Sequence, residues 1–445
     1  MEISCKVLNG LITKNDRVLV GVSGGTDSMC LLSLLLKAQE NMGFDLIAVH
    51  INHNLRGEEA NRDQEFVEKF CEKNHVKFIC ESVEVLKHAK KYGKTIEQAA
   101  RELRYAMFDK IMQKEKATIL AVAHHKDDQA ETILMHIARG SSLKGAKGMS
   151  IKTGNVIRPL LNFTRKDIEE YNKANKIPNI KDSSNDDVNY NRNYFRHKVI
   201  PSIEKAYPDV VNSVCKFASK CAIDDDFIES CVPYKLIECS NKTVKLLNDV
   251  DGYHTAIKTR LVKRAFECLG AYYDIEEKHI FDVIELFKMK NSSKINLPFK
   301  IIAFKEYDGI VLTQSKPSLK SGFYDFKLGK TKIENFGEID ITLLSPQDMP
   351  EFGDGNHYVD YESIPASAVW RTRQDGDTFA KIGSGSKKLN DYFTDKKIPL
   401  RLRDSVPVLA VGNKVLIVAD YDISDSVKIT SGTNRIAKIT YKKVI

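Results

Sequence analysis

The chain lacks any long apolar run. Its densest apolar stretch, Met29 to Leu36, spans eight residues and contains Ser33, while a membrane helix needs about 20, so no membrane partner is expected. The segment Met1-Glu2-Ile3-Ser4-Cys5-Lys6 has no basic stretch leading into an apolar one. The expectation is therefore no signal peptide and a cytoplasmic protein. Paired cysteines are also missing. The nine cysteines end at Cys268 and none stands in a C-x-x-C pair, which removes the usual spacing of a zinc ribbon or an iron–sulfur site. Reduced thiols packed as small hydrophobes are the plain reading. Charge of one sign is scarce as well: 68 Lys and Arg against 60 Asp and Glu leave +8 over 445 residues, which permits a polyanionic partner without requiring one. No internal repeat or low-complexity tract breaks the sequence.

At about 150 residues per domain the length suggests three domains. Through the first 200 residues strand and helix signals alternate. Strands are expected at 17–22, 46–49, 76–80 and 117–123, and helices at 27–40, 58–74, from Thr95 and at 127–139. Thr95-Ile96-Glu97-Gln98 is a capping box, and the helix it opens carries Ile96, Ala99, Ala100, Leu103 and Met107 on one face. This rhythm predicts an α/β fold, a parallel sheet with helices on both faces, with ligands beyond the C-terminal strand ends. From about 195 to 290 the pattern reads as helices, with Ile257, Leu261, Ala265 and Leu269 at helical spacing and Asp224-Asp225-Asp226 as a helix start or a solvated face. Short β-like pieces with Gly, Pro and Asp turns follow. The expected domains are 1–215 (α/β), 216–322 (mainly helical) and 323–445 (small α+β).

Strand 17–22 runs straight into Ser23-Gly24-Gly25-Thr26-Asp27-Ser28, where a helix begins. Two glycines let backbone N–H groups approach a phosphate, Ser23 and Ser28 add hydroxyls, and the helix start adds its orphan donors. Asp27 repels phosphate, so its simplest role is to hold the Mg²⁺ that accompanies ATP. Five fixed letters occur by chance in on the order of one chain per thousand. The loop is not a Walker motif: the two Gly-Lys-Thr triplets, at 93–95 and 329–331, have His88 and Tyr324 where the first Gly belongs. It resembles instead the pyrophosphate loop of the N-type ATP pyrophosphatases, which cleave ATP between the α and β phosphates to adenylate a carbonyl-type oxygen.

Further segments narrow the resemblance. They are His50-Ile51-Asn52-His53-Asn54-Leu55-Arg56, Glu97 to Tyr105 with Arg101 and Arg104, Ala123-His124-His125-Lys126-Asp127-Asp128-Gln129-Ala130-Glu131-Thr132, and Gly140 to Gly145. Arg158-Pro159-Leu160-Leu161, Asp182-Ser183-Ser184-Asn185 and Arg192 to His197 follow. With Arg371 to Asp377, Lys387-Lys388-Leu389, Lys396-Lys397-Ile398-Pro399 and Arg403-Asp404, this order resembles the tRNA(Ile)-lysidine synthetase family, strongly over 1–201 and well over 368–430. The resemblance implies a ligase that joins L-lysine to C2 of the wobble cytosine of the CAU-anticodon isoleucine tRNA. Cytosine O2 attacks the α-phosphate of ATP and pyrophosphate leaves; the lysine ε-amine then attacks C2 and AMP leaves.

Each demand of that chemistry has candidates. Ser23, Gly24, Gly25, Thr26, Asp27, Ser28, His50 and Arg192 are assigned to ATP, and Asp27 to the metal. Arg192 or Arg196 could clamp the α-phosphate. Asp128 and Glu131, three apart on one helix face, are assigned to the amines of lysine, and Arg104 to its carboxylate. Taken alone, the carboxylate pair also fits a helix N-terminal charge preference, Arg104 a surface ion pair, and His124 and His125 a strand end. His50 and His53 have no third metal ligand at useful spacing. Lys381 to Arg403 holds seven cations against Asp391 and Asp395, with Tyr392 and Phe393 among them. Such a patch suits phosphate contacts with occasional stacking, or is a solvated face. The tRNA candidates are Arg371, Arg373, Lys387, Lys388, Lys396, Lys397 and Arg403. A homodimer is an open possibility. The rival readings are a tRNA-thiolating relative, which the missing cysteine pairs disfavour, and a non-catalytic RNA-binding protein, which the intact loop disfavours.

Overall fold

Val18, Leu19 and Val20 have no exposed surface, and they form the middle of β1 (Arg17–Gly21). The computed structural model describes residues 3–54, 58–180, 191–240, 242–272, 275–314, 322–334, 336–345, 347 and 355–443. They divide into two compact units, Met1–Phe227 and Ile228–Ile445.

In the first unit β1 leads to α1 (Thr26–Met42), β2 (Asp45–Asn52), α2 (Glu58–Lys73) and β3 (Lys77–Ser82). Next come α3 (Val85–Tyr92), α4 (Ile96–Glu115), β4 (Ile119–Ala121), α5 (Lys126–Ala138) and α6 (Leu143–Ala146). The sheet ends with β5 (Lys152–Thr153) and β6 (Val156–Ile157), and α7 (Arg165–Ala174) follows. The strand order is β3-β2-β1-β4-β6-β5, parallel except at β5–β6. One face packs Met29, Leu32, Val67, Cys71 and Ile168 of α1, α2 and α7. The other packs Phe108, Ile111 and Met112 of α4. Helices on both faces are thus as expected, and so is the Thr95–Gln98 capping box. Helix α1 ends at Gly43, whose φ of 72° suits a residue without Cβ.

The unit closes with α8 (Asn191–Tyr194), the π-turn Phe195–Val199, α9 (Ile200–Glu204) and α10 (Val210–Ser230). Helix α10 runs through the boundary expected at 215. The acidic run expected as a helix start or solvated face lies inside this helix; Asp224 and Asp226 are exposed, while Asp225 is buried and paired to Lys147 at 2.7 Å.

In the second unit the expectation of a mainly helical middle segment is corrected. Strands β7 (Ile237–Ser240) and β8 (Thr243–Leu247) precede α11 (Thr255–Cys268) and α12 (Glu277–Leu286). Then come β9 (Lys294–Asn296), β10 (Ile302–Glu306) and β11 (Gly309–Thr313). The strands form an antiparallel sheet, β7-β8-β11-β10-β9. The hairpin escapes a sequence reading because β8 alternates over only five residues and its turn uses Lys242 at φ 60°, where glycine is the usual signal. The helical face Ile257, Leu261, Ala265 is buried as expected.

The last segment holds β12 (Tyr324–Asp325), β13 (Gly329–Ile333), β14 (Gly337–Leu344), β15 (His357–Asp360), β16 (Val369–Arg371), β17 (Thr378–Ala380) and β18 (Ser386–Lys388). After α13 (Leu389–Asp395) and α14 (Leu400–Arg403) come β19 (Val408–Val411), β20 (Lys414–Val418), β21 (Asp422–Ile423) and β22 (Ile436–Lys443). They build two sheets, β12-β16-β19-β20-β17-β18 with β21 on β20, and β13-β14-β22-β15. Trp370, Phe379, Tyr392 and Phe393 fill this α+β core.

Candidate functional site

Strand β1 pairs with β2 on one side and with β4 on the other. The chain passes to β2 and β3 before returning to β4, so strand order reverses at β1. In open parallel sheets the crevice outside such a point receives ligands. Two segments meet there: the loop after β1, residues 22–28, and the 122–128 segment after β4.

The loop is drawn tight by its own hydroxyls. Ser23 N–H donates to Ser28 Oγ at 3.1 Å, Gly25 N–H to Ser23 Oγ at 3.4 Å, and Ser28 Oγ to Gly25 O at 3.0 Å. Gly24 has φ +88°, a left-handed conformation that favours glycine. Asn172 donates to Thr26 O, and Thr26 Oγ1 to Asn179. His50, assigned to ATP, is buried and donates its Nδ1–H to Val22 O at 2.9 Å. Burial lowers its proton affinity, so the neutral ring supports the loop from beneath.

Asp27 projects from the first turn of α1. Arg165 is ion-paired to its Oδ2, and His125 Nε2 lies 3.8 Å from the same oxygen. Its Oδ1 is buried with no hydrogen-bond partner among the described residues. Burial raises the carboxyl's proton affinity against the pull of His125 and Arg165. An orphaned carboxylate oxygen beside a phosphate loop fits a hard cation such as Mg²⁺, which takes one or two carboxylates plus phosphate oxygens. Among the described residues no three His, Cys, Asp or Glu gather as a metal cluster.

Helix α5 supplies the other half of the crevice. His125, its N-cap residue, offers its backbone N–H to Asp128 Oδ2 at 3.0 Å. The buried ring lies 3.5 Å from Asp127 and 3.5 Å from Asp128. Burial opposes its charge, but these carboxylates and Asp27 raise its proton affinity. Burial also opposes the charge of Asp128; His125, Arg192 and His124 outweigh it and hold the carboxyl down at about 2. Burial pushes the His124 imidazole down to about 3.

Glu131, 1% exposed, lies one turn further along α5. It accepts from Arg192 Nε at 2.7 Å and from Arg196 Nε at 2.6 Å. The same guanidiniums reach Asp128 Oδ1 at 3.1 and 3.2 Å. The residues assigned to lysine and those assigned to the α-phosphate are therefore paired with one another. Arg104 is exposed on α4 and donates to His53 Nε2 at 3.1 Å. Residues 55–56 and 182–185 of the quoted segments lie outside the described residues.

Sequence reasoning missed Arg165 and gave His125 only a strand-end role. Arg165 lies in no motif, and only folding α7 against α1 brings it to Asp27.

The basic segment in the second unit is corrected in part. Arg371 is buried and bidentate to Asp377, at 2.7 and 2.8 Å, and also donates to Gly412 O and Thr372 O. Arg403 is buried on Ile398 O, Asn390 O and Thr394 Oγ1. Tyr392 and Phe393, expected to stack on bases, are core residues at 1% and 0% exposure. These four hold the fold together: the Arg371 guanidinium has four internal acceptors and that of Arg403 three, both side chains are buried, and neither ring has surface to offer a base. Arg373 is paired with Asp404, Lys387 with Asp395, Lys396 with Asp422 and Arg401 with Glu306. Lys388 and Lys397 are exposed and make no ion pair among the described residues.

Two families match the chain: one described as "PP-loop domain" over residues 2–203, and one described as "TilS substrate C-terminal domain" over 368–439. A tRNA(Ile)-lysidine synthase of Caldanaerobacter subterraneus subsp. tengcongensis is 37% identical, over 97% of this chain and 95% of its own. A tRNA(Ile)-lysidine synthase of Clostridium acetobutylicum is 35% identical, over 98% and 97%. Among solved structures, the U34-tRNA thiolase NcsA from Methanococcus maripaludis aligns with a TM-score of 0.42 at 20% identity, covering 48% of this chain and 76% of that one. Among the described residues no helix is long and apolar enough to cross a membrane.

Proposed function

Because the chain belongs to the tRNA(Ile)-lysidine synthase family, we propose that it ligates L-lysine to C2 of the wobble cytidine of the CAU-anticodon isoleucine tRNA. ATP is consumed to AMP and pyrophosphate, and codon reading changes from AUG to AUA. The observation that carries this reading is His125, whose ring lies 3.8 Å from Asp27 and 3.5 Å from Asp128. It joins a phosphate loop to a buried carboxylate pair in one crevice, which is what a nucleotide-driven transfer to an amine requires.

In the first step cytosine O2 bonds to the α-phosphorus and the bond to pyrophosphate breaks. The loop N–H groups at the start of α1 receive the departing charge. Mg²⁺, held by Asp27, would neutralise phosphate charge. In the second step the ε-nitrogen of lysine bonds to C2, the C2–O2 bond breaks, and AMP carries the oxygen away. The ammonium titrates near 10.4 in water and must lose a proton first. Asp128, held at about 2, is a weak base, so it anchors the amine rather than deprotonating it. Glu131 supplies the second anionic contact, Arg104 the partner for the lysine carboxylate, and Arg192 and Arg196 the charge for the α-phosphate. On the tRNA the exposed Lys388, Lys396 and Lys397 make phosphate contacts. The reading also includes a cytoplasmic setting; it leaves the choice between monomer and homodimer open to sedimentation.

The direct test is incubation of the full chain with labelled lysine, ATP and bulk tRNA, followed by digestion to nucleosides. Label in a modified cytidine, with one AMP and one pyrophosphate per lysine, is expected. ATP-dependent tRNA modification without lysine would overturn the assignment. The double variant Asp128→Asn, Glu131→Gln should still release pyrophosphate but fail to exchange AMP for lysine. Equal loss of both steps would return these carboxylates to the metal or the helix cap.

A further inference from the structure

Asp128 and Glu131 carry two negative charges, and Arg192 and Arg196 carry two positive ones. The four side chains close on one another through contacts of 2.6 to 3.2 Å. A lysine ammonium cannot approach Glu131 while two guanidiniums occupy both its oxygens. We infer that Arg192 and Arg196 form a latch over the lysine site, which the nucleotide opens, so that ATP binds before lysine and strengthens its binding. This rests on the assignment of Asp128 and Glu131 to lysine.

The argument is one of competing charge. A guanidinium paired twice with buried carboxylates is hard to displace by a single ammonium, which offers no planar fork. A triphosphate offers several oxygens of higher charge to the same guanidiniums. The side chains of Arg192 and Arg196 are 23% and 31% exposed, while that of Glu131 is 1% exposed. The arginines can therefore swing toward an anion, and the carboxylate stays behind. Once they turn to phosphate, Asp128 and Glu131 are left buried and uncompensated, a costly state. A cation of the right length then relieves it. Such coupling is reciprocal: lysine must strengthen nucleotide binding by the same factor.

Calorimetric titration of the full chain with L-lysine, with and without saturating α,β-methylene-ATP and Mg²⁺, tests the latch. The analogue should tighten lysine binding within the range of about 5- to 150-fold typical of such coupling. In the reverse titration lysine should tighten analogue binding equally. Arg192→Gln with Arg196→Gln should bind lysine more tightly than wild type when nucleotide is absent, and should lose the coupling. A scaffold role for the arginines would instead weaken lysine binding in both states. Equal lysine affinity with and without the analogue overturns the latch. Glu131→Gln separates the two claims: if it binds lysine like wild type, the assignment of the lysine site has failed. If it loses lysine while wild type shows no coupling, the latch alone has failed.

A different observation carries a second inference. Cys239 on β7 donates to Cys268, the last residue of α11, with the sulfurs 2.8 Å apart. Both cysteines are exposed. The geometry points to a modification site that takes a small disulfide oxidant, such as oxidised glutathione. Two protein thiols become one intramolecular disulfide, and the oxidant leaves as two thiols. Exposed cysteine pairs in reducing compartments are more often reversible than structural. Treatment of the full chain with oxidised glutathione should remove two alkylatable thiols together and lower the mass by about 2 Da, the two hydrogens lost. Cys239→Ser and Cys268→Ser should each instead hold a glutathione adduct at the remaining thiol. Wild-type protein that keeps both thiols alkylatable, or gains an adduct at each, overturns the site.

Discussion

Arg192 and Arg196 in the amino-terminal unit, and Arg371 and Arg403 in the carboxy-terminal unit, are all guanidiniums tied down by internal acceptors. The first pair is held by carboxylates 61 to 68 residues away in sequence, at a crevice mouth that leaves the side chains 23% and 31% exposed. Arg371 is held by Asp377 six residues away and by two backbone carbonyls, with its side chain 4% exposed. Arg403, on α14, is bonded to Ile398 O just before that helix and to Asn390 O and Thr394 Oγ1 of α13. Backbone carbonyls cannot be handed to a ligand without unfolding something, whereas carboxylates gathered from distant elements beside solvent can. That difference separates a cation that braces the fold from one available to chemistry, and a count of positive charge along the chain does not contain it.

The largest effect should come at the crevice itself. Asp27→Ala should lower pyrophosphate release by about a hundredfold or more with the thermal midpoint retained. Near-normal turnover would remove the loop's assigned role. Next, the two arginine pairs should part company in denaturant. Arg371→Ala breaks a buried pair and should cost about 3–5 kcal/mol. Arg196→Ala should cost about 1.5–3 kcal/mol, because Glu131 keeps Arg192, yet it should abolish turnover. Equal stability losses would dissolve the contrast.

Smaller is the effect of Lys388→Ala with Lys397→Ala. Stability should stay within about 0.5 kcal/mol, while the slope of tRNA affinity against salt becomes shallower by about two. An unchanged slope would make them solvated surface. Smallest is a titration. The Asp128 carboxyl, held at about 2 when folded, sits near 3.9 when unfolded. Its depressed value contributes stability above about pH 4 that is lost as pH falls through the folded value. Asp128→Asn should therefore show a flatter acid-unfolding curve between about pH 4 and 2.

Much of the first unit was legible because its signals are local and agree with one another. The strand at 17–21, the Ser23–Ser28 turn and the capping box at Thr95 each lie within a few residues, and each is found where the pattern places it. The second unit was harder to read. The β7–β8 hairpin turns at Lys242 rather than at glycine. Tyr392 and Phe393 lie between lysines in sequence but pack into the core with Phe379, Leu389 and Ile398.

The sequence by itself determined the phosphate loop, the parallel α/β unit around it, and the list of charged side chains able to serve the reaction. Only the tertiary structure decided how those charges are spent. Asp27 shares an oxygen with Arg165 and His125 because α7 packs on α1 and β4 lies beside β1. Asp128 and Glu131 are locked to Arg192 and Arg196 because a turn more than 60 residues later folds back over α5. Local patterning sets the elements, since backbone preference and hydrophobic periodicity act over a few residues. The state of each charge depends on burial and on neighbours distant in sequence, which exist only once the chain has folded.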